Sequence, residues 1–151
     1  TEWEFIVNTI CMFYIFSLVF FSTKGSMARA TVFGRIKLQD IFTICDCNAS
    51  SRNYTEGENI LDSDHVIFVG ETPPDDEYTI NIYGLVRKTS CLSSAPHEVK
   101  GTIVIEETAN KGKDRINVRL RPEQFVCSCK AGAGEQCKHV VAVLLYLYRQ
   151  V

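Results

Sequence analysis

The alternation of apolar and polar residues predicts several β-strands in the second half of the chain. It is clearest over residues 115–121, where isoleucine, valine and leucine at even positions oppose arginine and asparagine at odd positions. Because strand side chains point alternately to opposite faces, one face of this strand should be buried and the other exposed. Residues 65–69, 78–87 and 100–106 show β patterns of their own, and Pro122 is expected to end the last strand. Together these segments predict a small antiparallel β-meander.

A different period, with apolar residues three and four positions apart, predicts two helices. The first lies within residues 36–45, and the second, which is far more apolar, begins near His139 and continues to about residue 148. Such spacing gathers apolar side chains on one face of an α-helix. Residues 48–64 are rich in serine, asparagine, glycine and acidic residues, which predicts a loop. The whole pattern predicts an α+β fold in which the meander leads into a closing C-terminal helix.

Near the start of the chain, residues 5–21 form a nearly unbroken apolar run. As a membrane helix it would be at the short end of the ~17–25 residues required, and the basic residues after it would keep the rest of the chain on the cytosolic side. A second interpretation is a cleaved signal peptide with an exit at residues 28–30, although its start is acidic. A third makes Met27 the biological start and residues 1–26 a non-native leader. The apolar character favours an N-terminal helix of the membrane type.

Length and charge refine this picture. A chain of 151 residues suits one small domain plus an appendage, and we divide it into an apolar segment (1–26), a helix with a polar loop (27–64) and the meander with its closing helix (65–151). Residues 100–151 carry nine lysines and arginines against five acidic residues, whereas residues 1–99 carry seven against thirteen. The last third is therefore the basic part, as a nucleic-acid contact would need.

Three cysteines and a histidine lie at a spacing typical of a metal site: Cys127-x-Cys129, seven residues, then Cys137-x-His139. Zinc prefers thiolate and imidazole ligands, and a structural site fills all four tetrahedral positions with protein. A Cys-x-Cys pair on an extended segment turns both sulfurs to one face, and the glycines between the pairs allow the backbone to return. These residues predict a structural Zn²⁺ site. Since no position is left for water, we expect no enzymatic activity.

A second Cys-x-Cys pair, Cys45 and Cys47, has no Cys-x-His pair near it in the sequence. Additional ligands would have to come from His65, Cys91 or His97. Isolated histidines of this kind are more often surface or capping residues, so we expect no second metal site.

The order Cys127-Ser-Cys129, a glycine-containing loop, and Cys137-Lys-His139 before an apolar helix resembles the SWIM zinc finger. The resemblance covers about residues 115–149 and implies a compact ββα-like zinc module that binds DNA or protein. SWIM modules occur in Mutator-type transposases, some chromatin-remodelling ATPases and a kinase of the MAP cascade. A transposon-related origin is therefore among the contexts that the resemblance implies.

Two functions follow from these observations. In the first, the zinc module binds DNA, because arginine donates bidentately to phosphate; the candidate contacts are Arg115, Arg119, Arg121, Lys111, Lys113, Lys130 and Lys138. In the alternative, the same fold is a protein–protein interaction or adaptor module with no DNA contact. The expected location is the nucleus if residues 1–26 are absent or not inserted, and otherwise a membrane with the zinc module on the cytosolic side. No small-molecule substrate is expected.

Overall fold

The computed structural model describes residues 36–150 apart from 89, 92, 110–115 and 131–135, all within a unit that spans Val32–Val151. The predicted α+β class is confirmed, with a C-terminal helix after the cysteines. The predicted apolar helix at residues 5–21 lies outside the described residues. The elements are α1 (Leu38–Ile44), α2 (Arg52–Asp62), β1 (Val66–Thr72), β2 (Thr79–Val86), β3 (His97–Ala109), β4 (Ile116–Cys127) and α3 (Lys138–Arg149).

The four strands form one antiparallel sheet in the order β1-β2-β3-β4. Alternating residues of β2 and β3 are buried on the face that the helices cover, among them Ile82, Val86, Val99 and Ile103. This is the meander that the period-two pattern predicts, since sequential antiparallel strands pair with their neighbours.

Helix α3 lies at the centre of the hydrophobic core. Eight of its twelve residues are buried, and a helix that is apolar on nearly all sides must be covered on nearly all sides. It packs on the sheet where β2 carries Gly84, whose added Cβ would lie 2.9 Å from Val143. It also packs on α2, where a Cβ on Gly57 would lie 2.6 Å from Val141. None of the helices among the described residues has the length and apolar character needed to cross a membrane.

The predicted loop over residues 48–64 is largely a helix, and that prediction is wrong. Helix α2 buries Tyr54, Gly57 and Ile60, which lie on one face at three-residue spacing. The stripe is hard to detect because glycine occupies its middle position and normally weakens a helix. Here the missing side chain lets α2 approach α3 closely, so packing outweighs propensity.

Pro122 does not end the last strand, contrary to the sequence-based expectation. Strand β4 continues to Cys127, and Glu123 is an extra residue between the paired positions Ile103–Pro122 and Thr102–Gln124. This is a β-bulge, a common irregularity of edge strands. Proline is tolerated because β4 lies at the edge of the sheet and its missing N–H need not serve a central ladder.

Candidate metal centre

The structure brings all four predicted ligands together. The donor atoms of Cys127, Cys129, Cys137 and His139 lie within 4.8 Å of one another, and the Sγ of Cys127 is 3.6 Å from the Nδ1 of His139. Zinc–sulfur and zinc–nitrogen bonds of ~2.3 and ~2.0 Å at tetrahedral angles place sulfur and nitrogen about 3.5 Å apart. The donor set and its spacing therefore fit a four-coordinate zinc ion.

The bulge at Glu123 directs Cys127 towards this site. Before the bulge the buried residues of β4 are even-numbered, as Leu120 and Pro122 show, whereas after it they are Phe125 and Cys127. An inserted residue changes which side chains face the core, because strand side chains alternate. In an unbroken strand Cys127 would point away from α3.

Residues of β3 hold the Cys-x-Cys segment in place. The backbone N–H of Ser128 donates to the carbonyl of Glu98 at 2.9 Å, and the N–H of Glu98 donates to Oγ of Ser128 at 2.9 Å. The residue between the first two ligands is thus fastened to the neighbouring strand. Both cysteines remain on the helix-covered side, with Cys129 partly buried against the core.

The second ligand pair is fixed by the start of α3. Cys137 is the N-cap of this helix, and its sulfur accepts from the backbone N–H of Val140 at 3.4 Å. The Cys127 thiol donates to the Cys137 sulfur and lowers the pKa of Cys137 to about 4. The same hydrogen bond, together with burial, raises the pKa of Cys127. A helix N-terminus also favours negative charge near Cys137.

Contacts from α2 and from the turn before it secure the entrance to α3. The Asn53 side-chain amide donates to the carbonyl of Gln136 at 2.5 Å, and the Gln136 amide donates to Asp46 at 3.4 Å. Lys138 lies 3.1 Å from the carboxylate of Glu56. The second ligand pair is thereby tied to the helix that sequence patterns miss.

The predicted nucleic-acid contacts that the structure describes are mostly engaged by carboxylates. Arg119 is 2.5 Å from Asp40 of α1 and 3.9 Å from Glu106, and Arg121 is 2.6 Å from Glu106. The hydrogen bond from Arg121 lowers the pKa of Glu106. Lys138 pairs with α2 as described above, and Lys130 is exposed, with no ion pair to another described residue. The remaining three, Lys111, Lys113 and Arg115, lie outside the described residues.

Sequence patterns miss one residue of the site, His97. Its ring centroid is 4.2 Å from that of His139, with the two planes inclined by 38°, and burial lowers the pKa of His97. The strand pattern predicts a start at Lys100, so His97 falls in a predicted loop. Extending the alternation backwards from Val99 would have placed it on the core face.

Cys45 and Cys47 belong to no metal-binding cluster among the described residues. Cys45 is buried in the hydrophobic core, and Cys47 is partly buried against it. Burial raises the pKa of Cys47, which disfavours the thiolate that a metal needs.

The opposite face of the sheet, which the helices do not cover, contains a groove of about 420 Å³. Two rows of paired residues border it across β2, β3 and β4. We call it the sheet groove, and its bordering side chains are Tyr83, Lys100 and Val126 in one row and Asn81, Thr102 and Gln124 in the other. Val126 is 42% exposed.

A closed set of three cysteines and one histidine, delivered by a strand and a helix N-terminus, is the arrangement of a small zinc-finger module. Residues 115–148, less than a quarter of the chain, match the family model of the SWIM zinc finger. The resemblance found in the sequence is thereby confirmed. No curated protein and no solved structure matches the chain at a significant level.

Proposed function

We propose that this chain is a protein-interaction module whose binding surface is held by a structural zinc ion. The ligand set supports a structural role for zinc, because four protein ligands leave no open position for a substrate or water. The bound ion would join the end of β4 to the start of α3. Zinc would thus stabilise the helix on which the sheet packs.

The observation that favours a protein partner over DNA is the pairing of Arg119. Its guanidinium contacts Asp40, whose side chain is only 12% exposed. Leaving a buried carboxylate without its partner costs up to about 3–5 kcal/mol, whereas a hydrogen bond to a charged group contributes about 1.5–3 kcal/mol. A phosphate at Arg119 would also approach Glu106. DNA binding therefore stays a prediction that rests on residues outside this pair.

The sheet groove is the surface that we assign to the partner. Its lining combines an aromatic ring, an exposed valine and uncharged hydrogen-bonding side chains, and Lys100 is the one charged side chain among the described residues that line it. Lys100 has a loose contact of 3.8 Å with Glu98, and its ammonium lies 6.0 Å from the ring centroid of Tyr83. Exposed contacts of these two kinds contribute little. Charge complementarity thus indicates an extended segment of a partner protein with an acidic side chain opposite Lys100.

Site-specific crosslinking tests this proposal. A photoreactive amino acid replaces Val126 in the full chain, expressed in its own cells, and a second sample carries it at Tyr148, an exposed residue of α3. We expect a discrete, nuclease-resistant protein adduct from position 126 that Lys100→Glu removes and that position 148 does not form. Adducts that disappear on nuclease treatment would favour nucleic acid. The same adduct from both positions, or its persistence with Lys100→Glu, would refute the groove as the binding surface.

A direct DNA measurement complements this experiment. The purified zinc-loaded chain is titrated against duplex DNA over a range of salt concentrations. We expect no retention near physiological salt, since Arg119 and Arg121, the candidate contacts on β4, are already paired with carboxylates. Retention that falls steeply with added salt is the signature of released counterions and would restore the DNA hypothesis.

A further inference from the structure

His97 contacts the metal centre without belonging to its ligand set. Its ring lies against His139, yet the donor cluster among the described residues consists of the three cysteines and His139. The ring of His139 is therefore the part of the metal centre that His97 contacts directly.

The backbone around His97 is well placed for such a role. His97 begins β3 and pairs with the buried Val86. It precedes Val99 by two residues, so both side chains face the helix-covered side of the sheet, as Cys127, the partner of Val99, also does. The two hydrogen bonds between Glu98 and Ser128 fasten His97 to the segment that carries the first two ligands.

The ring of His139 must keep one orientation if Nδ1 is to bind the metal. The torsion that turns this ring is soft, so a neighbouring group has to restrain it. The terminal torsion of histidine has broad, roughly twofold minima, and a half-turn about it puts the carbon Cδ2 in the place of Nδ1. In the structure Nδ1 faces the Cys127 sulfur at 3.6 Å. A neighbouring ring at 4.2 Å leaves little room for that turn.

We propose that His97 is a positioning residue for the metal centre. Its ring packs against His139, holds Nδ1 towards the three sulfurs and shields the metal–nitrogen bond from water. Aromatic contacts of this type and residues that orient metal ligands both affect ligand geometry without binding the metal. The aromatic plane, rather than the imidazole nitrogens, carries the effect.

A pair of substitutions of similar size tests this role in the full chain. His97→Phe keeps a flat ring, whereas His97→Leu keeps apolar volume without the ring plane. His65→Leu is the matched control, because His65 precedes β1 and is outside the metal-binding cluster. Far-UV circular dichroism at saturating zinc establishes that each variant is folded before its affinity is compared.

Two measurements are made on each folded variant: zinc affinity by competition with a chromophoric chelator, and the visible absorption bands of the cobalt(II)-substituted protein. We expect His97→Leu to bind zinc about tenfold more weakly and to shift the cobalt bands, and His97→Phe and His65→Leu to match the wild type. Equal affinity and spectra for the Leu variant and the wild type would overturn the proposal. So would a Phe variant as impaired as the Leu variant, because the ring plane would then not be sufficient.

Discussion

At the scale of single residues, two Cys-x-Cys motifs differ in their ability to bind metal because their side chains lie in different surroundings. Cys127-x-Cys129 and Cys45-x-Cys47 share a spacing, but within the part of the chain that the structure describes only the first pair has two more donors within reach. Cys45 is enclosed by apolar neighbours in the core. The spacing of cysteines in the sequence predicts a metal site, but the site forms only where four donor atoms lie close together in the structure.

This contrast predicts opposite results for two cysteine-to-serine substitutions. Cys129→Ser should greatly reduce zinc binding, since a neutral hydroxyl replaces a thiolate ligand, while Cys47→Ser should retain one zinc ion per chain. Metal analysis of the two purified proteins by mass spectrometry provides the measurement. Stoichiometric zinc in Cys129→Ser, or its loss in Cys47→Ser, would contradict this ligand assignment.

Gly57 shows two residue-scale effects of opposite sign. Alanine in a helix interior is favoured over glycine by about 1 kcal/mol. At this position, however, the new Cβ would lie 2.6 Å from Val141 and 3.1 Å from the carbonyl of Lys138, and overpacking costs about 1–3 kcal/mol. Because the backbone carbonyl cannot easily move away, we expect the cost of overpacking to exceed the gain in helix propensity.

Gly57→Ala should therefore lower the free energy of unfolding of the zinc-loaded protein by up to about 2 kcal/mol, the balance of those two effects. Denaturant unfolding measures it. Asn59→Ala is the control in the same helix, because Asn59 is exposed and should gain a few tenths of a kcal/mol from propensity alone. Equal stabilisation by both substitutions would show that α2 and α3 are not closely packed.

At the scale of elements, the bulge in β4 decides which residues can bind metal. It changes the buried positions from even to odd numbers and so turns Cys127 inwards. The sequence shows alternation up to Arg121 and a proline at 122, which are equally typical of a strand that ends there. Only pairing with β3 identifies Glu123 as the extra residue.

Deletion of Glu123 tests this account. It should restore regular pairing and turn Cys127 away from α3, which would abolish stoichiometric zinc binding. Glu123→Ala should keep both the bulge and the metal, since its carboxylate makes only a 3.9 Å contact with Arg121. Zinc titration of the two proteins distinguishes the cases. Normal zinc binding by the deletion variant would mean that the bulge does not set the facing of the ligands.

The success of sequence patterns also differs between elements. The strands and α3 are detectable because their apolar periods are strong, and the metal ligands because their spacing is compact. Helix α2 is not detectable from the sequence, since its buried face consists of Tyr54, Gly57 and Ile60. A glycine in a polar segment ordinarily indicates a turn. Its helical state depends on α3, which is distant in sequence.

At the scale of the whole molecule, the metal centre and the core share one element. His139 lies in the first turn of α3, and the seven other buried residues of that helix pack into the hydrophobic core. Loss of the ligands at the start of α3 would therefore weaken the sheet and α2 together. Metal removal should act on the described domain as one cooperative unit rather than on its last third alone.

Chelation of zinc should consequently disorder β1 and β2 as well as α3. Structural zinc contributes an apparent ~10–16 kcal/mol in zinc-finger peptides, which matches or exceeds the ~5–15 kcal/mol net stability of typical domains. Hydrogen exchange before and after addition of a strong chelator measures the effect segment by segment. Ile80 and Ile82 are buried and lie more than forty residues before the first ligand in the sequence. If the exchange protection of their backbone amides did not change on chelation, the domain would not be a single cooperative unit.

The sequence by itself determined the α+β class, the strand-to-helix order and the ligand candidates, because these follow from short-range periods and spacings. The tertiary structure alone decided that residues 52–62 are helical, that Glu123 turns Cys127 inwards, and that Asp40 and Glu106 pair with the arginines of β4. It also placed His97 against His139. Each of these features depends on contacts between residues far apart in the chain, which no local pattern records.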